Sequence, residues 1–401
     1  MNLSGPPSSR TYHQAVRKSA YALLVFGFAE EIAMRFVPAM LRSMNASEAT
    51  IGLLGTVRDL CDAVLAYPGG RLNDRWGPTR TLRLVGAISI AGYVLTAIAA
   101  QPWLVVAATV LTMAWPAMGI VSTFDVVARG KRDAMRAFSL QAMLRRVPMV
   151  IGPLLGATLV GHYGSGQGTR AAIAVAAVLA VVAVLGFVRS LGGGATHPAC
   201  PFTPLATLRT MHPRMKVLLA SEVLVRFGEG LPDVFIVVFV LEQAKRSAPL
   251  FGALVALRAL VSIACYLPGT RLALAVRRET AVLAGFLAYA AFPLVLASAD
   301  SIVLLVVAFA IGGLREIGEP ARKSLLVSLA GATPVGDVLG TYLLVRGVMV
   351  AGAGIAGGML YAIEPGLPFY VAACVSALGA IVFAIAVQLQ PGAPVGAPKG
   401  L

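Results

Sequence analysis

The stretch TVRDLCDAVLAYPGGRLNDRWGPTR, Thr56 to Arg80, raises two questions. Its first part is apolar enough for a membrane helix, yet it carries Arg58, Asp59 and Asp62. At Gly69-Gly70 the run gives way to a polar block, Arg71-Leu72-Asn73-Asp74-Arg75. The composition says what kind of chain holds both. Hydrophobic residues make up 58% of the 401 and charged residues 13%, with a mean hydropathy of +0.82. Soluble globular proteins are about half apolar and about a quarter charged. The chain is therefore expected in a membrane, crossing it as helices, since apolar runs of roughly twenty residues recur along it.

Twelve spans are expected: Ser19-Leu41, Ala49-Gly70, Thr79-Ala100, Trp103-Val127, Gln141-His162, Arg170-Ser190, Arg214-Leu241, Leu250-Leu272, Thr280-Ser298, Ile302-Leu325, Val338-Ala362 and Pro368-Leu389. The first is long for a signal peptide, carries Glu30 and Glu31, and leads to no small-residue cleavage pattern, so it reads as retained.

A formal charge of +15 and a pI near 10.2 would suit a nucleic-acid partner, but the positions of the bases say otherwise. Of the 33 Lys and Arg, eight lie inside spans and four, Arg42, Arg170, Lys245 and Arg246, lie in alternate loops. The other twenty-one, Arg322 and Lys323 among them, fall on one side. The positive-inside rule then puts both termini in the cytoplasm, as in a bacterial inner-membrane protein. The basicity reads as topology, with a lipid bilayer and no nucleic acid as partner.

Cys61, Cys265 and Cys374 lie in spans and Cys200 in a linker, without paired spacing. His13, His162, His197 and His212 are scattered, so no metal site is expected. No phosphate-loop motif is present, and GSGQG at Gly164-Gly168 reads as a short turn. Active transport would run on a gradient, without a cofactor. No nucleophile-base constellation lies in the spans, so an enzyme is not expected.

A Pro-rich polar segment near Gly192-Arg214 splits the chain into six-span blocks, 1-190 and 214-401, with 191-213 as a cytoplasmic linker. The blocks resemble each other. A shift of 200 matches Ser47, Gly52, Leu54, Arg58, Leu60, Pro68, Gly69, Arg71 and Leu72 with Ser247, Gly252, Leu254, Arg258, Leu260, Pro268, Gly269, Arg271 and Leu272. The same shift pairs Arg146 with Arg346 and Gly152 with Gly352, and a shift of 199 pairs Glu30 with Glu229. An even number of spans per block makes the repeat parallel, about an axis along the membrane normal, with the substrate site between the halves.

Spans three, six, nine and twelve carry no ionisable residue in their middles, and the other eight carry nearly all. An ionised group at mid-bilayer costs about 3 kcal/mol on insertion scales, so these charges are paired or used. At helical spacing Glu31 pairs with Arg35, and Arg58 with Asp62. Glu222, Arg226, Glu229 and Asp233 form one stripe, and Arg315, Glu319 and Lys323 a ladder beside Glu316. Glu30 and Glu229 escape pairing best, because the repeat puts them at equivalent sites. Arg145, Arg146, Arg258 and Arg346 have no acid on their own helix. Arg58, Arg258, Arg146 and Arg346 would converge near mid-membrane, to grip an oxyanion bidentately or to meet acids of other spans.

Gly70-Arg71-Leu72-Asn73-Asp74-Arg75-Trp76-Gly77-Pro78-Thr79-Arg80 resembles the loop motif between helices two and three of the major facilitator superfamily. That resemblance implies an alternating-access fold of two six-helix bundles, all-α and monomeric. It implies a cytoplasmic gate at Gly70, Leu72, Asp74, Arg75, Gly77 and Arg80, with Asp74 against the N-terminus of span eleven near Val338 in the outward-facing state. Gly152-Pro153-Leu154-Leu155-Gly156 is similar to the helix-five motif of the superfamily's drug/proton antiporters, although TMAWPAMGI in span four lacks their arginine.

The leading expectation is proton-coupled export of a small organic molecule. Glu30, Glu229, Glu31 and Asp233 are candidate proton sites, since burial favours the neutral form of a carboxyl group. Arg58, Arg258, Arg146, Arg346, Glu222, Arg226 and Arg315 are candidate cavity residues. The alternative is arginine-based uptake or exchange of a small anion, since Arg58 and Arg258 resemble the substrate arginines of nitrate/nitrite porters.

Overall fold

A computed structural model describes residues 9–120, 122–123, 134–187, 204–275, 277–329 and 335–389. Within these the regular structure is helical throughout. Most of the expected linker at 191-213, with Cys200 and His197, lies outside the described residues, as do the ends of spans four and six.

The first half holds α1 (Ser9–Ala33), α2 (Val37–Ser43), α3 (Glu48–Ile98), α4 (Pro102–Thr112) with a π-helical turn at Trp115–Gly119, and α5 (Ala134–Phe187). After α6 (Pro204–Thr210) come α7 (Pro213–Asp233), a short stretch through the π-helical turn Phe239–Gln243, α8 (Ala248–Ala275) and α9 (Arg278–Ala297). Next are α10 (Ile302–Leu314), a 3-10 turn at Arg315–Gly318, α11 (Glu319–Leu329), α12 (Val335–Ala351), α13 (Ala353–Ile363) and α14 (Leu367–Leu389).

Seven helices among the described residues are long and apolar enough to cross a membrane. Twelve unbroken helices are not what forms, for two physical reasons. Expected spans two and three, and five and six, run on through single glycines: α3 contains Gly77 at φ 76° and α5 contains Gly164 at φ 79°. These left-handed conformations suit glycine, which has no Cβ, so the motif glycine at 77 serves the bend itself. Spans one, seven and ten are instead broken where their charges lie, at residues 34–36, 234–235 and 315–318.

The repeat is visible in the backbone as well. Asn45 and Lys245, 200 residues apart, are the positive-φ non-glycine residues of the described chain, at 57° and 51°. Each lies just ahead of the serine, Ser47 or Ser247, that precedes a long helix. Ser47 caps α3 by accepting a hydrogen bond from the Thr50 N–H at 3.3 Å.

Two apolar clusters organise the packing. One joins both halves near Ser47, with Phe36, Leu41, Ile51 and Leu54 of the first half against Phe235, Val240, Phe251 and Leu254 of the second. The other draws on second-half residues, including Met215, Leu218, Phe286, Tyr342 and Phe383. The halves are therefore pressed together at the Ser47 end of the molecule, away from the bend at Gly77.

Candidate functional site: a charged cavity between the halves

Glycines let the helices meet at the Ser47 end. A Cβ on Gly52 would lie 2.4 Å from the Gly354 carbonyl oxygen, and one on Gly252 would lie 2.4 Å from Ala157 Cβ. Both contacts cross from one half to the other. Ile355 N–H also donates to Thr56 Oγ1 at 3.0 Å. Above them Arg42 donates to Glu48 at 2.7 Å and to Glu242 of the other half at 3.1 Å. The hydrogen bond to Glu48 and the charge of Glu242 hold the Arg42 guanidinium above the ordinary arginine range. A raised value in the closed state means that this contribution is complete throughout the range in which free arginine stays charged, and is lost only in more alkaline solution. Arg42→Gln should therefore weaken this closure by up to about 1 kcal/mol, the same at pH 6 and pH 9. Distances between spin labels at Ser43→Cys and Gln243→Cys, in a chain without other cysteines, would show the opening.

Beneath this seal lies a cavity of about 130 Å³. Met34, Met149, Val237, Phe251, Val255 and Phe309 give it an apolar wall, while Arg35, Arg58, Arg146, Asp233, Arg258, Arg315 and Glu316 bring charge. Asp233 also lines a second cavity, of about 420 Å³, toward the Gly77 end. There Asp59 and Asp62 of the first half face Arg226, Arg322, Lys323 and Arg346 of the second.

The second half answers most of its own charges, Asp233 excepted. Glu222 is fully buried and accepts from Arg322 at 2.8 and 2.9 Å, from Arg346 at 2.6 Å and from the Tyr342 hydroxyl at 2.5 Å. Glu319 accepts from Arg322 at 2.7 Å. Glu229 accepts from Arg226 at 2.9 Å and from Arg315, with Arg258 at 3.7 Å. Arg226 and Arg315 also lie over the Tyr289 ring, and Arg258 over Phe292.

Several expectations are corrected here. Glu229 does not escape pairing, because Arg258 and Arg315 reach it from other helices. Arg146 and Arg346 do not converge on one anion site: Arg146 faces Glu316 at 4.0 Å and Tyr266, whereas Arg346 binds Glu222. Arg322 is not a loop base but a buried ion-pair partner, while Lys323 is well exposed and pairs with Glu319 at 3.3 Å. Arg315 leaves the expected ladder because the 3-10 turn changes its register. Signals for Arg322, Glu319, Tyr342 and Tyr289 were faint, since their partners lie on other helices, apart from the Glu319/Arg322 spacing.

The first half leaves its charges open. Glu31 and Arg35 do pair, at 3.0 Å. Arg58 and Asp62 do not, and among the described residues Glu30, Arg58, Asp59, Asp62, Arg145 and Asp233 make no direct ion pair. Gly152 and Gly156 pack α5 on α1: a Cβ would lie 2.6 Å from Glu31 Cβ and 2.1 Å from the Ile32 carbonyl oxygen, respectively. Pro153 offers its carbonyl to the contact with Gly252. At the gate motif, Asp74 makes no hydrogen bond or ion pair among the described residues, which do not include residues 330–334 just ahead of Val338. Gly70 borders open space, Leu72 is half-buried, and Arg75 and Arg80 are exposed. This fits a molecule sealed at the other end.

Comparison with known proteins points the same way. Residues 20–201 match the family model described as Major Facilitator Superfamily. No curated protein matches the sequence. Among solved structures, a point mutant of the nucleoside transporter NupG superposes with a TM-score of 0.77 at 12% identity, covering 94% of this chain and 99% of its own. The POT family transporter PepTSo gives 0.74 at 14% identity, covering 96% and 99%. A structure described as bearing on substrate recognition in proton dependent oligopeptide transporters gives 0.73 at 16%, covering 94% and 99%. Residues 20–201 thus resemble the Major Facilitator Superfamily in sequence, and nearly the whole chain shares the fold of these solved transporters.

Proposed function

We propose that this chain is a secondary active transporter that exchanges protons for a small organic molecule by alternating access. It would work as a monomer of two six-span bundles, 1-190 and 214-401, in a bacterial inner membrane with both termini cytoplasmic. The observation that carries the reading is Asp233, a carboxylate without an ion pair at the junction of the two cavities between the halves. A proton carrier needs a carboxylate that is free to ionise in one state and to be neutral in another. Of the four candidates, Glu31 and Glu229 are already paired with arginines, which leaves Asp233 and Glu30. Export is the direction favoured by the resemblance of Gly152-Pro153 and Gly156 to the antiporter motif.

The anion reading has less support, because Arg258, Arg146 and Arg346 all face acids. Arg58 alone of that set stays open. Asp233→Asn keeps the shape of the side chain but cannot release a proton. In proteoliposomes loaded with a solute chosen for thermal stabilisation of the protein, the wild type should expel it faster when the far side is acidified. The variant should exchange solute across the membrane without any acceleration by the pH gradient. Acceleration persisting in both Asp233→Asn and Glu30→Gln would remove the proposal.

A further inference from the structure

The charges lining the upper cavity divide into those already answered and those left open. Arg35 is held by Glu31, and Arg258 and Arg315 by Glu229. Arg146 and Glu316 face each other across the halves. Two charges remain without an ion pair, and they are of opposite sign: Arg58 of the first half and Asp233 of the second. A solute with one charge would match one of these and leave the other uncompensated, which costs energy in a site walled by Phe251, Phe309 and Val255. A solute with both charges satisfies the pair. The cavity's size narrows the class further. At about 130 Å³ it is well below the roughly 300–1,000 Å³ of pockets for drug-sized ligands.

We propose that this cavity binds a small zwitterion of amino-acid size, with its carboxylate on the Arg58 guanidinium, its ammonium on the Asp233 carboxylate and its apolar part against the Phe251 and Phe309 wall. The guanidinium presents a planar fork to the two carboxylate oxygens. Asp233 accepts hydrogen bonds from the ammonium. Because the two residues belong to different halves, the bound zwitterion bridges them and bears on how they close. This assignment deepens the transport reading and shares Asp233 with it: ammonium and proton compete for one carboxylate.

Equilibrium binding to the purified chain tests it without any gradient. The probes are L-leucine, 4-methylpentanoate, which lacks the amine, and 3-methylbutylamine, which lacks the carboxylate; L-alanine and L-phenylalanine test size. At least one amino acid should bind saturably to the wild type at pH 7, and with leucine each single-charge analogue should be weaker by at least about tenfold. Arg58→Gln should lose that preference for leucine over the amine but still bind 3-methylbutylamine. Asp233→Asn should lose it over the acid but still bind 4-methylpentanoate. Retained binding of the remaining analogue shows that each variant is folded. Equal binding of leucine and either analogue to the wild type, or saturable binding of none of the three amino acids, overturns the assignment. Flux is a separate readout: binding that follows this pattern without pH-driven flux keeps the zwitterion site and removes proton coupling.

Discussion

Replacing Glu222 by Gln is expected to destabilise the protein by about 3–5 kcal/mol, the cost of leaving buried cations without their counter-charge. Few groups in the chain are so placed. The carboxylate is fully buried and holds Arg322 of α11, Arg346 and Tyr342 of α12, with Arg226 of its own helix at 3.8 Å. Glutamine keeps the shape and one acceptor oxygen, so packing stays nearly constant while the charge is removed. Thermal unfolding in detergent measures the loss. Lys323→Ala is the contrast, since that lysine is 62% exposed and its pair with Glu319 spans 3.3 Å. It should cost less than about 1 kcal/mol. Similar losses in the two variants would mean that the Glu222 network is not a keystone of the second half.

The second large effect concerns the seal at the Ser47 end. Gly354 approaches Gly52 so closely that a Cβ on either meets the other's carbonyl oxygen, at 2.5 and 2.4 Å. Valine at both positions forces two side chains into a contact built for none, at about 1–3 kcal/mol for each insertion. Within each half nothing need change, because these contacts lie between the halves. The double variant should therefore fold, stay open at the Ser47 end and lose transport, since about 5.5 kcal/mol suffices to invert a two-state equilibrium from 1:99 to 99:1. Spin-label distances between positions 43 and 243 should lengthen. Gly156→Val is a useful counterpart, because its Cβ would meet Ile32 within the first half, and it should unfold rather than open. Unchanged distances in the Gly52/Gly354 pair would refute the interpretation of the seal.

Much of the architecture could be read from one dimension. Helical class and the repeat at a shift of 200 followed from the order of residues, Gly77 entered through the motif resemblance alone, and the backbone repeats the 200-residue relation at Asn45 and Lys245. The Glu31–Arg35 pair was legible because both ends lie on one helix. The site was less so. Partners such as Arg258 and Arg315 for Glu229, or Arg322 and Arg346 for Glu222, come from other helices, and no spacing rule within a helix can find them. Arg58 and Asp62 have helical spacing yet do not pair, because side chains four apart can still turn toward different neighbours. Arg315 was misplaced for a third reason: a 3-10 turn advances the chain differently from the α-helix assumed in counting.

The self-contained ion pairs of the second half have a consequence for whatever enters the passage. Its arginines that line the cavities already have acids of the same half within 4 Å. A visitor need not break those bonds to be held, and gains nothing by offering itself as a substitute. In electrical terms the second half is closed except at Asp233, and the first is open, with terminals at Arg58, Asp59 and Asp62. Duplication made the two halves alike as scaffolds, and the placement of a few acids made them unlike as hosts.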